Sequence, residues 1–148
     1  MSAQDDSEEQ ARAERAAASM YARDTASRAL GMELLAVAPG RAEMAMTVRP
    51  DMVNGHDICH GGLIFALADS TFAFACNSYD TVTVARQGEI SFLAPARRGD
   101  RLTARCVERM RQGRSGIYDV SVVNEDGAEI AIFRGWSSTT GGQVSEEE

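Results

Sequence analysis

The stretch from Gly61 to Asn77, GGLIFALADSTFAFACN, constrains the fold of this chain more than any other. It is apolar almost throughout, rich in good helix formers, and free of proline and of glycine past Gly62. Those features predict one long helix. A helix that is apolar all round needs cover on every side, and an antiparallel sheet curling around it supplies that cover.

The rest of the chain provides the strands. RAEMAMTV alternates so that Ala42, Met44, Met46 and Val48 point one way, and with MELLAV and the turn APG it predicts a hairpin. Strand patterns recur at VTVARQGEISFLAP, RLTARCVERM, GIYDVSVVN and AEIAIFRGWSS, separated by the turn chemistry of ARRGD, RQGRSG and NEDG. From Glu9 to Leu30 alanine and arginine dominate, which predicts a peripheral helix ended by Gly31. The order is helix, two strands, central helix, four strands. This is an α+β class with no crossover helices between the later strands. Residues 1–30 are read as an acidic tail and helix, 31–140 as the folded domain, and 141–148 as a disordered acidic tail.

The net charge of −7 sits at the ends of the chain, in Asp5, Asp6, Glu8, Glu9 and Glu146, Glu147, Glu148. Without those seven, 15 acids face 15 basic residues, so the body is neutral and both tails read as mobile, solvated extensions. Every basic residue is arginine. The absence of lysine removes the P-loop, Schiff-base chemistry and the Ser-x-x-Lys nucleophile. No apolar run has the length of a membrane span, and three widely spaced cysteines without a CxxC pair suit a reducing compartment, so a soluble cytoplasmic protein is expected. Cys59 and His60, with His56 nearby, do not make the four-ligand spacing of a structural zinc site, and neither metal nor cofactor is expected.

Apart from Cys76, Asp69 is the one ionisable side chain in the apolar helix. An unpaired charge there costs several kcal/mol, roughly, so it needs a partner, a role or an opening to solvent. As a structural residue it would cap a helix restarting at Ser70, but Phe65 to Ala68 show no break. As a functional one, a desolvated carboxylate accepts a proton from water or attacks an acyl carbon, and both chemistries cleave acyl bonds. Electrophilic help for a carbonyl oxygen would come from the backbone N–H groups of Gly61 and Gly62 at the helix N-terminus. His60 either acts as a base or orders the loop, and the ordering role is favoured. Asn54 either reaches the same carbonyl or closes an Asn-Gly turn with Gly55. Ser115 lies in a turn without a nucleophile elbow, and Cys59 is a lesser candidate.

Residues 97–114 carry seven arginines against Asp100 and Glu108. Strand alternation places Arg101, Arg105, Arg109 and Arg111 on one face and Leu102, Ala104, Cys106 and Met110 on the other. That basic face is either a solvated guard against edge aggregation or a site for a phosphorylated carrier such as coenzyme A. Nucleic acid is not expected, since the body is neutral and no aromatic stacking pattern accompanies the arginines.

These residues resemble the hotdog-fold acyl-CoA thioesterases, and within them the phenylacetate-degradation thioesterases. The resemblance rests on Asn54-Gly55, on His60-Gly61-Gly62 followed by Phe65, Leu67-Ala68-Asp69, Phe72, Ala75 and Asn77-Ser78, on FLAPARRGD, and on IFRG near the end. It covers roughly residues 31–142 and implies a helix wrapped by an antiparallel sheet, subunits whose sheets join, a homotetramer built as a dimer of dimers, and active sites shared between chains. By that likeness Asp69 is the catalytic carboxylate, as nucleophile or general base. The Gly61 amide polarises the thioester carbonyl, Asn54 assists and His60 orders the loop. The implied substrates are phenylacetyl-CoA and ring-hydroxylated relatives, with no membrane or nucleic-acid partner. Related enzymes of another branch place a hydroxyl residue across the site to orient water, where this chain has Ala85; Thr83 and Ser91 are the nearby hydroxyls. The competing readings are a hotdog enoyl-CoA hydratase or dehydratase and a non-catalytic acyl-CoA sensor.

Overall fold

The computed structural model describes residues 2–146. Helix α3 (Gly61–Cys76) lies where the apolar run places it, and six antiparallel strands wrap around it. These are β1 (Glu33–Ala38), β2 (Arg41–Thr47), β3 (Thr81–Phe92), β4 (Arg101–Gln112), β5 (Ser115–Val123) and β6 (Glu129–Gln143). The sheet order is β1-β2-β4-β5-β6-β3. The strand that follows α3 therefore crosses to the far edge, and β2 lies against β4. The α+β architecture of a sheet curled around one helix is the one the sequence predicts.

Helix and sheet interlock through aromatic rings set against glycine. Gly88 of β3 and Gly135 of β6 are paired in register. A Cβ on Gly135 would stand 2.8 Å from the Phe72 ring, and one on Gly88 would stand 2.9 Å from Phe133. With no side chains there, Phe72 packs onto the strand backbone and meets Tyr118 at 5.5 Å and Phe133 at 5.9 Å between ring centroids. Such tilted pairs add about 0.5–1.5 kcal/mol each beyond the area they bury. The end of α3 is tied to β3 by one side chain: Asn77 Nδ2 donates to the Ala73 and Thr83 carbonyls, and Asn77 Oδ1 accepts the Thr83 N–H.

The cover around α3 is not complete. Ile64, Leu67, Ala68, Thr71, Phe72 and Ala75 are buried, but Gly62 is exposed and Phe65, Ala66, Asp69 and Ala73 are partly so. Six strands do not close on themselves, so a strip along the helix stays open in the single chain.

The ends of the chain differ from the sequence expectation. The acidic start is helical: α1 runs Ala3–Arg23 behind the cap Ser2, whose hydroxyl accepts the Asp5 N–H while the Asp5 side chain accepts the Ser2 N–H. Acidic groups in a first turn are stabilised by the helix dipole, which is why DDSEE joins the helix instead of forming a mobile extension. Asp24 breaks the expected single helix and caps a short second one, α2 (Thr25–Ala29). At the other end β6 runs on to Gln143, a 3-10 turn follows at Val144–Glu146, and Asp80 accepts both the backbone N–H and the hydroxyl of Ser145. Residues 141–146 are thus strand and turn, not a disordered tail; the remainder of that predicted tail lies outside the described residues.

The arginine strand also needs correction. Register shifts between Glu108 and Met110, leaving Arg109 as the extra residue of a β-bulge. Beyond it the alternation inverts. Glu108 faces inward to Tyr118, and Arg111 lies with it over the Tyr79 ring, its Cζ 3.5 Å from the centroid. Arg111 therefore leaves the outer face that Arg101, Arg105 and Arg109 share, and Met110 leaves the inner one.

Candidate active site

At the start of α3, His60 is the helix cap. Its Nδ1 accepts the Gly62 N–H at 3.0 Å, and its carbonyl takes the N–H of Leu63 and of Ile64. A ring nitrogen that accepts carries no proton, so neutral His60 has its proton on Nε2. The cap consumes one of the two glycine amides. The Gly61 N–H is left without an acceptor among the described residues, at the positive end of the helix dipole.

Asn54 closes the loop, one of the two roles that its sequence context allows. Its Oδ1 accepts the His56 N–H at 2.9 Å and the Ile58 N–H at 3.4 Å, closing the loop. Its Nδ2 makes no bond within the described chain and remains a free donor. Asn54, Ile58, Gly61, Ile64, Phe92 and Leu93 line a hollow of about 490 Å³. The apolar wall suits an acyl chain or ring, with two polar donors at one side. A Cβ on Gly61 would stand 2.9 Å from Phe92 Cζ, so a larger residue there has to displace the exposed Phe92 ring. Phe92 is the site residue that sequence reading missed. Its signal was a large aromatic at the end of a strand, and in the structure it is 54% exposed.

Asp69 lies on the open strip of α3, partly buried, with no hydrogen bond or ion pair to any described residue. Burial raises its carboxyl above the usual range, so the group is more basic than an ordinary aspartate. Gly61 and Asp69 are eight residues apart on one straight helix, a rise of about 12 Å. One thioester carbonyl cannot touch both in the same chain. The structure therefore brings Asn54, His60 and Gly61 together and leaves Asp69 apart from them.

The other candidates fall away on geometry. Burial pushes the Cys59 thiol up to about 11, which leaves little thiolate for attack. His56 is an exposed loop residue. Thr83 Oγ1 donates to the Thr81 carbonyl and lies 3.3 Å from Thr139 Oγ1, while Ser91 lines a groove with Arg105 and Glu129, so neither hydroxyl stands ready beside Asp69. The outer arginines are paired across strands: Arg101 with Glu33, Arg105 with Glu43, and Arg109 and Arg134 with Asp119. Those last two guanidiniums hold the Asp119 carboxyl down at about 2. The outer basic face is thereby neutralised, which favours the solvated-surface reading over an anion site. Among the described residues, no three His, Cys, Asp or Glu side chains gather as a metal site requires.

Comparison with known proteins identifies the family. Residues 56–131 match the family model described as "Thioesterase superfamily". The chain is 42% identical to the acyl-coenzyme A thioesterase PaaI of Escherichia coli K12 over 128 residues, covering 86% of this chain and 91% of that protein. Among solved structures, the E. coli PaaI protein from the phenylacetic acid degradation operon superposes with a TM-score of 0.89 at 41% identity, covering 90% of this chain and 97% of that one. The TT0310 protein of Thermus thermophilus superposes with a TM-score of 0.76 at 40% identity, covering 79% of this chain and 98% of that one. With a matching family model, a close curated relative and a shared fold, this chain belongs to the thioesterase superfamily.

Proposed function

We propose that the protein hydrolyses acyl-CoA thioesters to the free acid and CoA, with phenylacetyl-CoA and its ring-hydroxylated relatives as the acyl class. The observation that carries this reading is the pair of unsatisfied groups on α3: a basic, unpartnered Asp69 and a free Gly61 N–H at a helix N-terminus. The apolar hollow beside Gly61 and the 42% identity to a protein named as an acyl-CoA thioesterase support the substrate class.

The mechanism runs across two chains. The thioester carbonyl oxygen accepts the Gly61 N–H and the Asn54 amide of one protomer, and the developing negative charge is held by those donors and the helix dipole. Asp69 of the partner subunit then either attacks the carbonyl carbon, expelling the CoA thiolate and leaving a mixed anhydride that water hydrolyses, or takes a proton from a water that attacks the carbon, the thiolate leaving and taking up that proton. Both routes end in the free acid and CoA. His60 keeps the Gly61 amide aimed by fixing its neighbour. The open strip of α3 and the twelve-residue edge strand β3, with Val84 and Phe92 exposed, are the surfaces through which two chains would join. The assembly we propose is a homotetramer, a dimer of such dimers. Residues 31–140 are assigned as the catalytic unit.

A cytoplasmic location is part of the proposal, supported by three buried, unpaired thiols. No helix of the described residues is long and apolar enough to cross a membrane.

The test is hydrolysis across an acyl-CoA panel followed by thioester absorbance, with Asp69→Ala and Gly61→Val chains assayed singly and as a refolded mixture. Each variant alone is expected to be nearly inactive, and the mixture to regain activity through mixed dimers that hold one intact site. No loss of any thioester by wild type would overturn the function. Recovery in neither mixture nor wild type, with hydration of an enoyl-CoA instead, would assign the fold to a hydratase.

A further inference from the structure

The chain has five phenylalanines, and four of them meet another ring. Phe65 and Phe133 lie edge to face at 5.3 Å between centroids, Phe72 packs against Tyr118, and Phe74 meets Tyr21 at 6.3 Å. Phe92 meets no ring among the described residues, and it stands exposed in the wall of the hollow beside Gly61. We infer that Phe92 selects the acyl group, an aromatic acyl ring packing on its ring while the thioester carbonyl sits on the Gly61 and Asn54 donors. The inference rests on the thioesterase reading and names the residue that sets its acyl class.

Backbone bonds aim this ring. Phe92 ends β3, paired with Ala131 of β6, and the next two N–H groups, those of Leu93 and Ala94, both donate to the Ile130 carbonyl. On the other side of the hollow the Cys59 N–H donates to the Ala96 carbonyl at 2.8 Å, and Ile58 bridges to Arg97. The walls are therefore tied to one another before a ligand arrives, which lowers the cost of binding. The three atoms nearest a Cβ placed on Gly61 are Cζ, Cε1 and Cε2 of Phe92, at 2.9, 3.3 and 3.4 Å. The far edge of the ring thus points at the residue whose N–H is the proposed oxyanion donor, and a group held on that N–H lies beside the ring.

The chemistry of the walls decides which side of the thioester lies there. Asn54 is the polar side chain among them, while Ile58, Ile64, Leu93 and Pro95 are apolar and the Cys59 thiol is held neutral by burial. The pantetheine arm of CoA carries amide groups, which would lose water against those walls without gaining partners. An arylacyl group has no such cost. In a phenylacetyl group a single methylene joins ring to carbonyl, so a carbonyl on the Gly61 N–H brings the two rings to the roughly 4.5–7 Å between centroids at which aromatic pairs form. A saturated ring of the same size buries similar area but lacks the negative face and positive edge that make such a pair, so aromatic preference separates from size.

Phe92 also stands on the edge through which two chains would join, so the measurement has to separate selection from assembly. A ratio of kcat/KM for phenylacetyl-CoA over cyclohexylacetyl-CoA does so, because lost assembly or stability lowers both alike. Wild type is expected to favour the aromatic substrate roughly two- to tenfold, the worth of one aromatic pair. Phe92→Leu is expected to bring the ratio to about one, while Leu93→Ala, which trims the same wall without removing a ring, keeps it. A wild-type ratio of one, or the same ratio in Phe92→Leu as in wild type, overturns the inference and leaves the thioesterase reading standing. If neither thioester is hydrolysed, the functional reading fails and calorimetric titration of the same two compounds decides. An aromatic preference in Kd that Phe92→Leu removes then upholds Phe92 as the selecting ring, and equal or absent binding overturns it.

Discussion

Replacing Asp69 with asparagine is expected to cost activity and raise stability together. The substitution keeps the shape of the side chain and removes its charge. No described residue donates to Asp69, so the amide strands no partner. What disappears is the cost of holding a carboxylate in a partly desolvated place, the cause of its raised pKa. An acid whose folded pKa lies above its unfolded value contributes full stability below the unfolded value of 3.8, and this is lost as pH rises through the folded one. Wild type therefore carries the penalty at neutral pH and not in acid. Discounted for the partial exposure of the group, the relief in Asp69→Asn is on the order of 1 kcal/mol or less. For a chain of this length that is a Tm gain of about 2–4 °C at pH 7. Thermal unfolding of both proteins at equal concentration, at pH 7 and below pH 3.8, reads the effect, and the two curves should converge in acid. On the same samples kcat should fall roughly a thousandfold, the size of a lost base or nucleophile. A lower Tm for Asp69→Asn at pH 7 would refute the reasoning, because it would mean that the carboxylate is held by an attractive partner.

Three further outcomes follow from the geometry. Gly61→Ala should lower kcat/KM by about a hundredfold, since its Cβ meets Phe92 at 2.9 Å and shifts an oxyanion donor, and adding Phe92→Ala should recover part of the loss in steady-state assays. Arg105→Ala should leave KM for phenylacetyl-CoA within about twofold of wild type, because an exposed pair with Glu43 contributes little and offers no free guanidinium; a large KM rise would return the outer face to CoA binding. Gly135→Ala should destabilise by about 1–3 kcal/mol in urea unfolding, with Phe72→Leu in the same chain restoring part of it, as expected for overpacking against the 2.8 Å ring contact.

What the sequence displayed, and what it hid, divides along local and non-local lines. The central helix was legible because its signals are local: an apolar run without a breaker, with a histidine cap and an asparagine end. Asp69 was legible for the same reason, as a lone charge among apolar neighbours. The helical start at Ala3 had a local signal too, Ser2 with Asp5 three positions on, but an acidic run reads as solvated surface unless that reciprocal cap is given weight. The inward turn of Arg111 had none, because alternation by twos holds only until a bulge adds a residue, and the bulge at Arg109 is defined by its partner strand β5. Phe92 needed the crossing of β3 to the far edge of the sheet before it could meet Gly61. The site itself sits on both sides of that division. Each group is written in adjacent residues, yet the helical rise between Gly61 and Asp69 is fixed, so a residue list alone reads as one site where the structure holds the two about 12 Å apart and the proposed mechanism draws them from two chains. Under the proposed two-chain mechanism catalysis and assembly are one requirement, and a substitution on the exposed edge of β3 is expected to abolish activity with every proposed catalytic group intact.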